Sequence, residues 1–264
     1  MRKYWAFCRA NIQVTLTYRG PILIWLFSSV IGLIAITAVW FSASTGPLIG
    51  GYTKNELISY YLFSLFLGFF VSWLPFYGTR DEIKDGVIVV TALTKPFSYY
   101  WKRFFEELGW HMVSVWVALA GSLIVGYFLK DYLVFKLDPL KALFIILAVC
   151  FCIILTFSLS LCMGLLAFWF TEISAIESIF WISRSLLGGQ TIPLSFIPDQ
   201  FQTITRLLPF RYMFSFPLEI YFNKLTTLEI FHGLIIQTVW AVILFLLYRL
   251  MWQKGRKAYT AFGH

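Results

Sequence analysis

Long apolar segments recur along this chain of 264 residues, and most have the length that a helix needs to cross a lipid bilayer. A transmembrane helix needs about 20 apolar residues, because each residue rises about 1.5 Å and the hydrocarbon core is about 30 Å thick. Only 13% of the residues are charged, whereas soluble domains have about 25%. The chain is therefore predicted to be a polytopic membrane protein.

The apolar segments predict an all-α membrane protein with six transmembrane helices in one domain over residues 1–264. The predicted spans cover about 22–41, 57–77, 108–129, 141–170, 173–195 and 230–251. The fifth segment has a short apolar part that meets Gly188 and Gly189 and then Pro193. We predict a broken or re-entrant helix there, because irregular backbone at membrane depth must lie against protein or a water-filled cavity.

The basic residues predict the orientation, since cytoplasmic loops of membrane proteins carry an excess of Lys and Arg. Thirteen of them, including Arg19 and Lys95, lie in the amino-terminal segment, the loop after the second span and the carboxyl-terminal tail; seven, including Lys136, lie in the other loops. Both termini are thus predicted to be cytoplasmic. The net charge of +8 points to the lipid bilayer as a partner and not to nucleic acid, because no separate basic domain is present.

Catalytic motifs are missing from the sequence. It contains no GxxxxGK[ST] phosphate loop, no HExxH metal motif and no GxSxG elbow, and its three histidines are isolated from one another. We therefore predict no catalytic residue, no metal site and no cofactor in this chain, which is not expected to be an enzyme.

The amino-terminal segment, residues 1–20, places Trp5, Cys8, Ile12 and Leu16 near one face of a helix. Such a helix can lie in the plane of the membrane interface before the first span. A basic tail that only sets the topology is the alternative.

The loop after the second span mixes acidic and basic residues with an apolar run. A short helix over Arg80–Lys84, ended by Gly86, would expose acidic side chains to a soluble partner. The candidate docking residues are Asp81, Glu82, Ile83, Lys84, Asp85 and Gly86. The alternative is a solvated charged loop followed by an aromatic belt at the membrane interface.

The broken fifth segment carries a charge at membrane depth. Arg184 is costly in hydrocarbon, so it should face a partner, a cavity or the protein interior. Glu177 lies seven residues earlier, about 10 Å along a helix, and the two side chains would form either a structural ion pair or a substrate contact. Beyond them, Gln190, Thr191 and Pro193 are predicted to border a pathway.

These features, in this order, resemble the permease subunit of ABC-2 type ATP-binding-cassette exporters over nearly the whole chain. The strongest parts are EIKDGVIVVTALTKPFSYY at 82–100 and GGQTIPLSFIPDQFQTITRLLPFRY at 188–212. The closing GRKAYTAFGH at 255–264 is similar to a subgroup of small, uncharacterised bacterial permeases.

The resemblance implies a permease of an ATP-driven exporter in the bacterial plasma (inner) membrane, paired as a dimer with a second permease of the same or a related sequence. It also implies two copies of a separate ABC ATPase subunit, which would bind ATP and Mg. Residues 81–86 would then form the coupling helix, and the fifth segment would lie near the extracytoplasmic exit.

The alternative is a self-sufficient secondary transporter or channel that uses Arg184, Glu177 and Glu172 as gating or proton-coupling charges. Such transporters often contain two related halves, and none is visible in this sequence. The substrate stays open, since the aromatic and apolar segments suit lipids, amphipathic drugs or glycans.

Overall fold

The structure, a computed structural model, describes residues 2–18, 20–43, 50–93, 97–135 and 138–259. Arg19, Lys95, Lys136 and residues 260–264 of the closing motif, on which predictions above partly depend, lie outside the described residues. Within these ranges the chain forms α-helices and short 3-10 or π turns, with no β-strand. The α-helices are α1 (Arg2–Thr17), α2 (Gly20–Ala43), α3 (Lys54–Val71), α4 (Phe76–Lys84), α5 (Tyr99–Phe128), α6 (Pro139–Leu165), α7 (Ser174–Leu187), α8 (Asp199–Leu207), α9 (Pro209–Met213), α10 (Ser215–Tyr221) and α11 (Thr227–Ala258).

Five helical segments of the described chain are long and apolar enough to cross a membrane. They are Gly20–Val39, Lys54–Lys84, Tyr99–Phe128, Pro139–Phe168 and Thr227–Ala258. Each corresponds to one of the predicted spans, so the chain is a multi-pass membrane protein. The remaining predicted span, 173–195, contains only the 14 residues of α7, whose length of about 21 Å is shorter than the hydrocarbon core. The count of six spans stays a prediction.

The broken segment nevertheless connects the two ends of the helix bundle. At the end where α4 lies, Lys84 Nζ is 3.7 Å from Glu172 Oε2, just before α7. At the opposite end, Lys224 Nζ, just before α11, is 3.3 Å from Glu56 Oε2 on α3. The chain between residues 172 and 224 therefore passes along the bundle as short helices and turns.

Two helix starts differ from the predicted spans because polar residues form the first turns. The α3 helix begins at Lys54, where Thr53 and Glu56 form a capping box: the Glu56 amide donates to Thr53 Oγ1 (3.2 Å), and the Thr53 amide donates to Glu56 Oε2 (2.9 Å). The α5 helix begins at Tyr99 rather than at residue 108, since its charged first turns are paired with one another.

The end of the second predicted span also differs. The α3 helix stops at Val71 instead of residue 77, and α4 starts after Pro75. Proline disfavours helical backbone at the residue before it, so the chain turns here before the helix resumes.

The core of the bundle surrounds α3. Of the apolar window that contains α3, 61% is buried inside the bundle, against 17% for α2. Leu57, Tyr60 and Val71 of α3 are fully buried together with Phe214 and Cys152 from later segments. The α2 helix thus presents most of its apolar side chains outward, as expected for a helix that faces lipid or another membrane protein.

The amino-terminal helix α1 packs along the start of α5. The Ser98 amide donates to Tyr4 Oη (3.0 Å), and a Cβ at Gly109 would lie 2.5 Å from the Cys8 carbonyl oxygen. Of the predicted face, Cys8 is buried against the bundle, whereas Trp5 and Leu16 are exposed on its outside. The helix itself is present, while its position at the membrane interface stays a prediction.

Both ends of the described chain lie at the α4 end of the bundle. The α1 helix meets residue 98, which directly precedes α5. At the other terminus, Tyr259 Oη donates to the Ile83 carbonyl of α4 (3.4 Å). The two ends are therefore on the same side, and the side on which the cytoplasm lies stays a prediction.

Candidate functional site

The short helix α4 is the first component of the candidate site. It covers the predicted helical residues Arg80–Lys84 and extends back to Phe76. The Asp85 amide donates to the Asp81 carbonyl (2.9 Å), and the Gly86 amide donates to the Ile83 carbonyl (3.3 Å). Gly86 has φ of 72°, in the left-handed region that glycine adopts without strain at a helix end.

The six candidate docking residues do not share one exposed face. Asp81 and Asp85 are exposed, whereas Ile83 is buried and Lys84 and Gly86 are half-buried. The predicted exposure of Glu82 is wrong, because its carboxylate faces α5: it accepts from Tyr99 Oη (2.9 Å) and pairs with Lys102. The exposed carboxylates of α4 and its end are thus Asp85 and Asp81, the latter paired with Arg80 at the surface (2.8 Å).

A cluster of charged side chains joins α4 to the first turns of α5. Lys102, whose side chain is 3% exposed, pairs with Glu82 and lies 3.3 Å from Glu106. Arg103 Nη1 is 2.7 Å from Glu106 Oε2, and its Nη2 donates to the Pro75 carbonyl (3.2 Å). These residues belong to the predicted loop after the second span, although their spacing of three and four residues is typical of ion pairs on one helix face.

The other flank of α4 is connected to α7. Arg80 Nη1 lies 3.5 Å from Glu177 Oε2, and Lys84 lies 3.7 Å from Glu172. Glu172 also accepts from the amides of Ile173 (3.0 Å) and Ser174 (2.9 Å) at the start of α7. The hydrogen bond from Ser174 has the largest effect on the pKa of the Glu172 carboxyl, which it lowers below the ordinary value. The nearby Lys84 and the hydrogen bond from Ile173 lower this pKa further.

An elongated cavity of about 810 Å³ lies between α2, α3, α5 and α7. Its polar lining residues are Asn11, Ser29, Ser64, Ser72, Glu106, Glu107, Arg184, Gln190 and Thr191, and its aromatic ones are Trp25, Tyr61, Phe69, Tyr77, Trp110 and Trp181. Along α2 it extends from Trp25 to Val39, which corresponds to about 21 Å of helix. The cavity thus follows much of the thickness of a hydrocarbon core.

The structure places three of the five predicted pathway residues on this cavity. Arg184, Gln190 and Thr191 contribute to its lining, whereas Glu177 and Pro193 do not. Pro193 is buried in the turns after α7. Glu177 and Arg184, for which the sequence suggested either an ion pair or a substrate contact, do not pair with each other, because Glu177 pairs with Arg80. Nor does the structure bring together the three charges of the secondary-transporter alternative, since Glu172 is on the surface beside Lys84.

Arg184 is the most deeply buried charged residue of the cavity, with 1% of its surface exposed. Its Nη2 donates to Ser72 Oγ (3.0 Å), and its Cζ lies 5.5 Å from the centre of the Trp181 ring. Its Nε has no hydrogen-bond partner among the described residues. No carboxylate in the described part of the chain lies within ion-pairing distance of its guanidinium.

Two tyrosines of α3 hold the loop that follows α7. Tyr60 Oη donates to the Gly189 carbonyl (2.6 Å), and Tyr61 Oη donates to the Thr191 carbonyl (3.0 Å). Gly189 has φ of 78°, and a Cβ at this position would lie 2.9 Å from Ser215 Cβ. The irregular backbone at this depth therefore has hydrogen-bond partners from protein, as a membrane interior requires.

Within the residues that the structure describes, no group of three or more His, Cys, Asp or Glu side chains is arranged to hold a metal ion. The polar groups on the cavity wall come from several helices and are suited to contact a passing molecule.

Long apolar helices around an elongated cavity, with a charged surface helix at one end, define a membrane transport protein. The sequence pattern of the family described as ABC-2 family transporter protein matches residues 23–263, and the chain belongs to this family. It is the permease of an ABC transporter, a transport component that is not itself catalytic, and its family implies ATPase subunits as partners. The resemblance stated from the sequence is thus confirmed. No curated protein matches the chain.

Proposed function

We propose that this permease forms part of the substrate pathway of an ATP-driven exporter in the bacterial plasma membrane, with both termini in the cytoplasm. A second permease, the same chain or a related one, completes the pathway as a dimer. Two ATPase subunits bind on the cytoplasmic side and carry the ATP and Mg²⁺, for which this sequence has no phosphate loop.

One observation carries this proposal: α4 is tied on both flanks to helices that line the cavity. Glu82 pairs with Lys102 on α5, and Arg80 pairs with Glu177 on α7. The α5 helix contributes Glu106 to the cavity wall, and α7 contributes Arg184. A displacement of α4 by an ATPase would therefore move two walls of the cavity together.

Residues 81–86 divide into two roles in this proposal. The exposed carboxylates Asp81 and Asp85 contact the ATPase, for which opposite charge on the partner would favour docking. Glu82, Ile83 and Lys84 hold α4 against the bundle, and Gly86 ends the helix. Export, coupling and the dimer rest on the family resemblance together with this arrangement.

The test is Asp85→Lys in the tagged full-length chain, purified from membranes of its host. Lysine at the end of a helix suits the helix dipole, so α4 should stay folded. We expect the wild-type chain to copurify with an ATPase that has a phosphate loop and hydrolyses ATP with Mg²⁺. We expect Asp85→Lys to reduce this hydrolysis by about tenfold or more, since it reverses a charge at the contact.

The matched control is Asp131→Lys, the same change at an exposed aspartate at the opposite end of the bundle. It should leave the copurifying ATPase activity unchanged. Equal losses in both variants would contradict the assignment of α4. Transport at full rate by the purified chain, with no ATPase present, would show instead that it is a self-sufficient transporter or channel.

A further inference from the structure

We propose that the cavity binds an amphipathic anion, whose phosphate or carboxylate contacts Arg184 while its apolar chain lies along α3. This inference rests on the proposed function only in treating the cavity as the substrate pathway. It names the chemical class of the substrate, which neither the family nor the fold specifies.

The first reason is that the charge of Arg184 is buried without a counterion. Its guanidinium contacts a neutral hydroxyl, Ser72, and the face of Trp181, and its Nε has no partner among the described residues. A buried charge in a membrane protein is expensive unless it is paired, and a guanidinium is suited to bind the two oxygens of a phosphate or carboxylate. The described chain therefore leaves the charge of this guanidinium without an anionic partner.

The second reason is that the carboxylates near Arg184 are engaged elsewhere. Glu177, on the same helix, pairs with Arg80 outside the cavity. Glu106 and Glu107, which line the cavity, pair with Arg103 at 2.7 and 3.9 Å. The described chain thus leaves the positive charge of Arg184 for a molecule that comes from outside.

The third reason is the apolar wall that continues from Arg184. Towards the start of α3, Ser72 is followed on the cavity face by a stripe about 16 Å long that is apolar except for one serine. Its residues are Phe69, Gly68, Leu65, Ser64 and Tyr61. Leu33 and Ile36 of α2 also line the cavity. A single alkyl chain attached to the anionic group can lie along this stripe and be shielded from water.

The test uses the purified full-length chain in nanodiscs of zwitterionic lipid. The probe is dodecyl phosphate with bromine atoms on the chain, which quench the fluorescence of nearby tryptophans such as Trp25, Trp110 and Trp181 in the cavity wall. The comparison probe carries the same brominated chain on a trimethylammonium group. A second series replaces part of the lipid by an anionic phospholipid, to ask whether a bilayer headgroup competes for the same site.

We expect Arg184→Gln to weaken binding of the phosphate probe by about ten- to a hundredfold, as for a lost charge-assisted hydrogen bond. Binding of the ammonium probe should not weaken. The matched control, Arg206→Gln, removes an exposed arginine of α8 and should bind both probes like the wild type. Competition that depends on Arg184 would identify a bilayer lipid as the source of the anion, and binding of the added probe alone would identify a free amphiphile.

Equal losses in Arg184→Gln and Arg206→Gln, or no preference for phosphate over ammonium in the wild type, would overturn the proposal. If Arg184→Gln does not fold, Arg184→Lys takes its place, because lysine keeps the charge but not the forked donor geometry. Arg184→Lys should bind the phosphate probe less tightly than the wild type does. It should still bind the phosphate probe more tightly than it binds the ammonium probe. None of these measurements needs an ATPase, so their failure is separate from a failure of the proposed coupling.

Discussion

The guanidinium of Arg103 occupies the space in which any residue other than glycine at position 78 would carry its side chain. An ideal Cβ on Gly78 would overlap with Arg103 Nη2 and lie 3.0 Å from its Cζ. Gly78 belongs to α4 and Arg103 to α5, so the long side chain of Arg103 bridges the two helices at this point. It is also where the charged cluster reaches the backbone of α4, through the hydrogen bond from Arg103 to the Pro75 carbonyl.

Gly78→Ala should therefore destabilise the protein. The methyl group would displace a guanidinium that is bonded to Pro75 and Glu106, and overpacking of this kind costs about 1–3 kcal/mol. The measurement is the free energy of unfolding in mixed micelles, followed by circular dichroism.

The control is Gly32→Ala in α2, where nothing lies within 4 Å of an added Cβ. Alanine stabilises a helix interior by about 0.5–1 kcal/mol relative to glycine, so the two substitutions should have opposite signs. A stabilising effect of Gly78→Ala would show that Arg103 moves away without loss.

The Glu82–Lys102 pair should matter more for stability than the exposed pair next to it. The Lys102 side chain is 3% exposed, and removing one member of a buried pair costs about 3–5 kcal/mol. We expect Glu82→Gln to approach the lower end of that range, since Glu106 still lies near the lysine.

Asp81→Asn is the matched change in the exposed pair that Asp81 forms with Arg80, and exposed pairs contribute at most about 1 kcal/mol. Thermal unfolding of both variants in one detergent distinguishes the two effects. If Glu82→Gln and Asp81→Asn lowered the stability by similar amounts, Glu82 and Lys102 would be solvated in the membrane-bound protein.

The hydroxyl of Tyr60 should hold the loop after α7 in place. Tyr60→Phe leaves the Gly189 carbonyl without its 2.6 Å hydrogen bond in the interior, which costs about 1–3 kcal/mol. The same change at Tyr127, which is 70% exposed, should have little effect. Amide hydrogen exchange should become faster at residues 188–192 in Tyr60→Phe alone; unchanged exchange there would show that other contacts hold the loop.

The sequence predicted well what depends on neighbouring residues. Apolar runs predicted six spans, five of which correspond to span-length helices, because a helix in lipid must satisfy its backbone hydrogen bonds internally. The end of α4 at Gly86 was equally local, since it depends on the left-handed conformation of one glycine.

What the sequence did not predict depends on pairs that are distant along the chain. Glu82 faces Lys102, so a charge that looks free in a loop is half-buried. Arg184 meets Ser72, 112 residues away, in preference to the nearer Glu177. Ion pairing between segments compensates charges that a hydropathy pattern counts as loop residues. For this reason α5 begins at Tyr99, nine residues before the predicted third span.

The carboxylate of Glu172 provides a test of how α7 begins. Its pKa is lowered by the amides of Ser174 and Ile173 and by Lys84, so the folded state favours the ionised form. Such a group stabilises the fold above its ordinary pKa near 4.5, and this stabilisation is lost as the pH falls through the lower folded value.

Glu172→Ala should therefore accelerate amide exchange at residues 173–178 at pH 7, relative to the wild type measured at the same pH. The ratio of the two rates should shrink towards one as the pH falls through the lowered pKa of the Glu172 carboxyl, because the wild-type carboxyl then becomes protonated and no longer caps the helix. Glu172→Gln is the matched variant, because its amide oxygen still accepts hydrogen bonds but carries no charge. If its exchange equals that of the wild type at pH 7, the hydrogen bonds and not the charge hold the start of α7; a ratio for Glu172→Ala that is independent of pH would show that the carboxylate does not cap α7 at all.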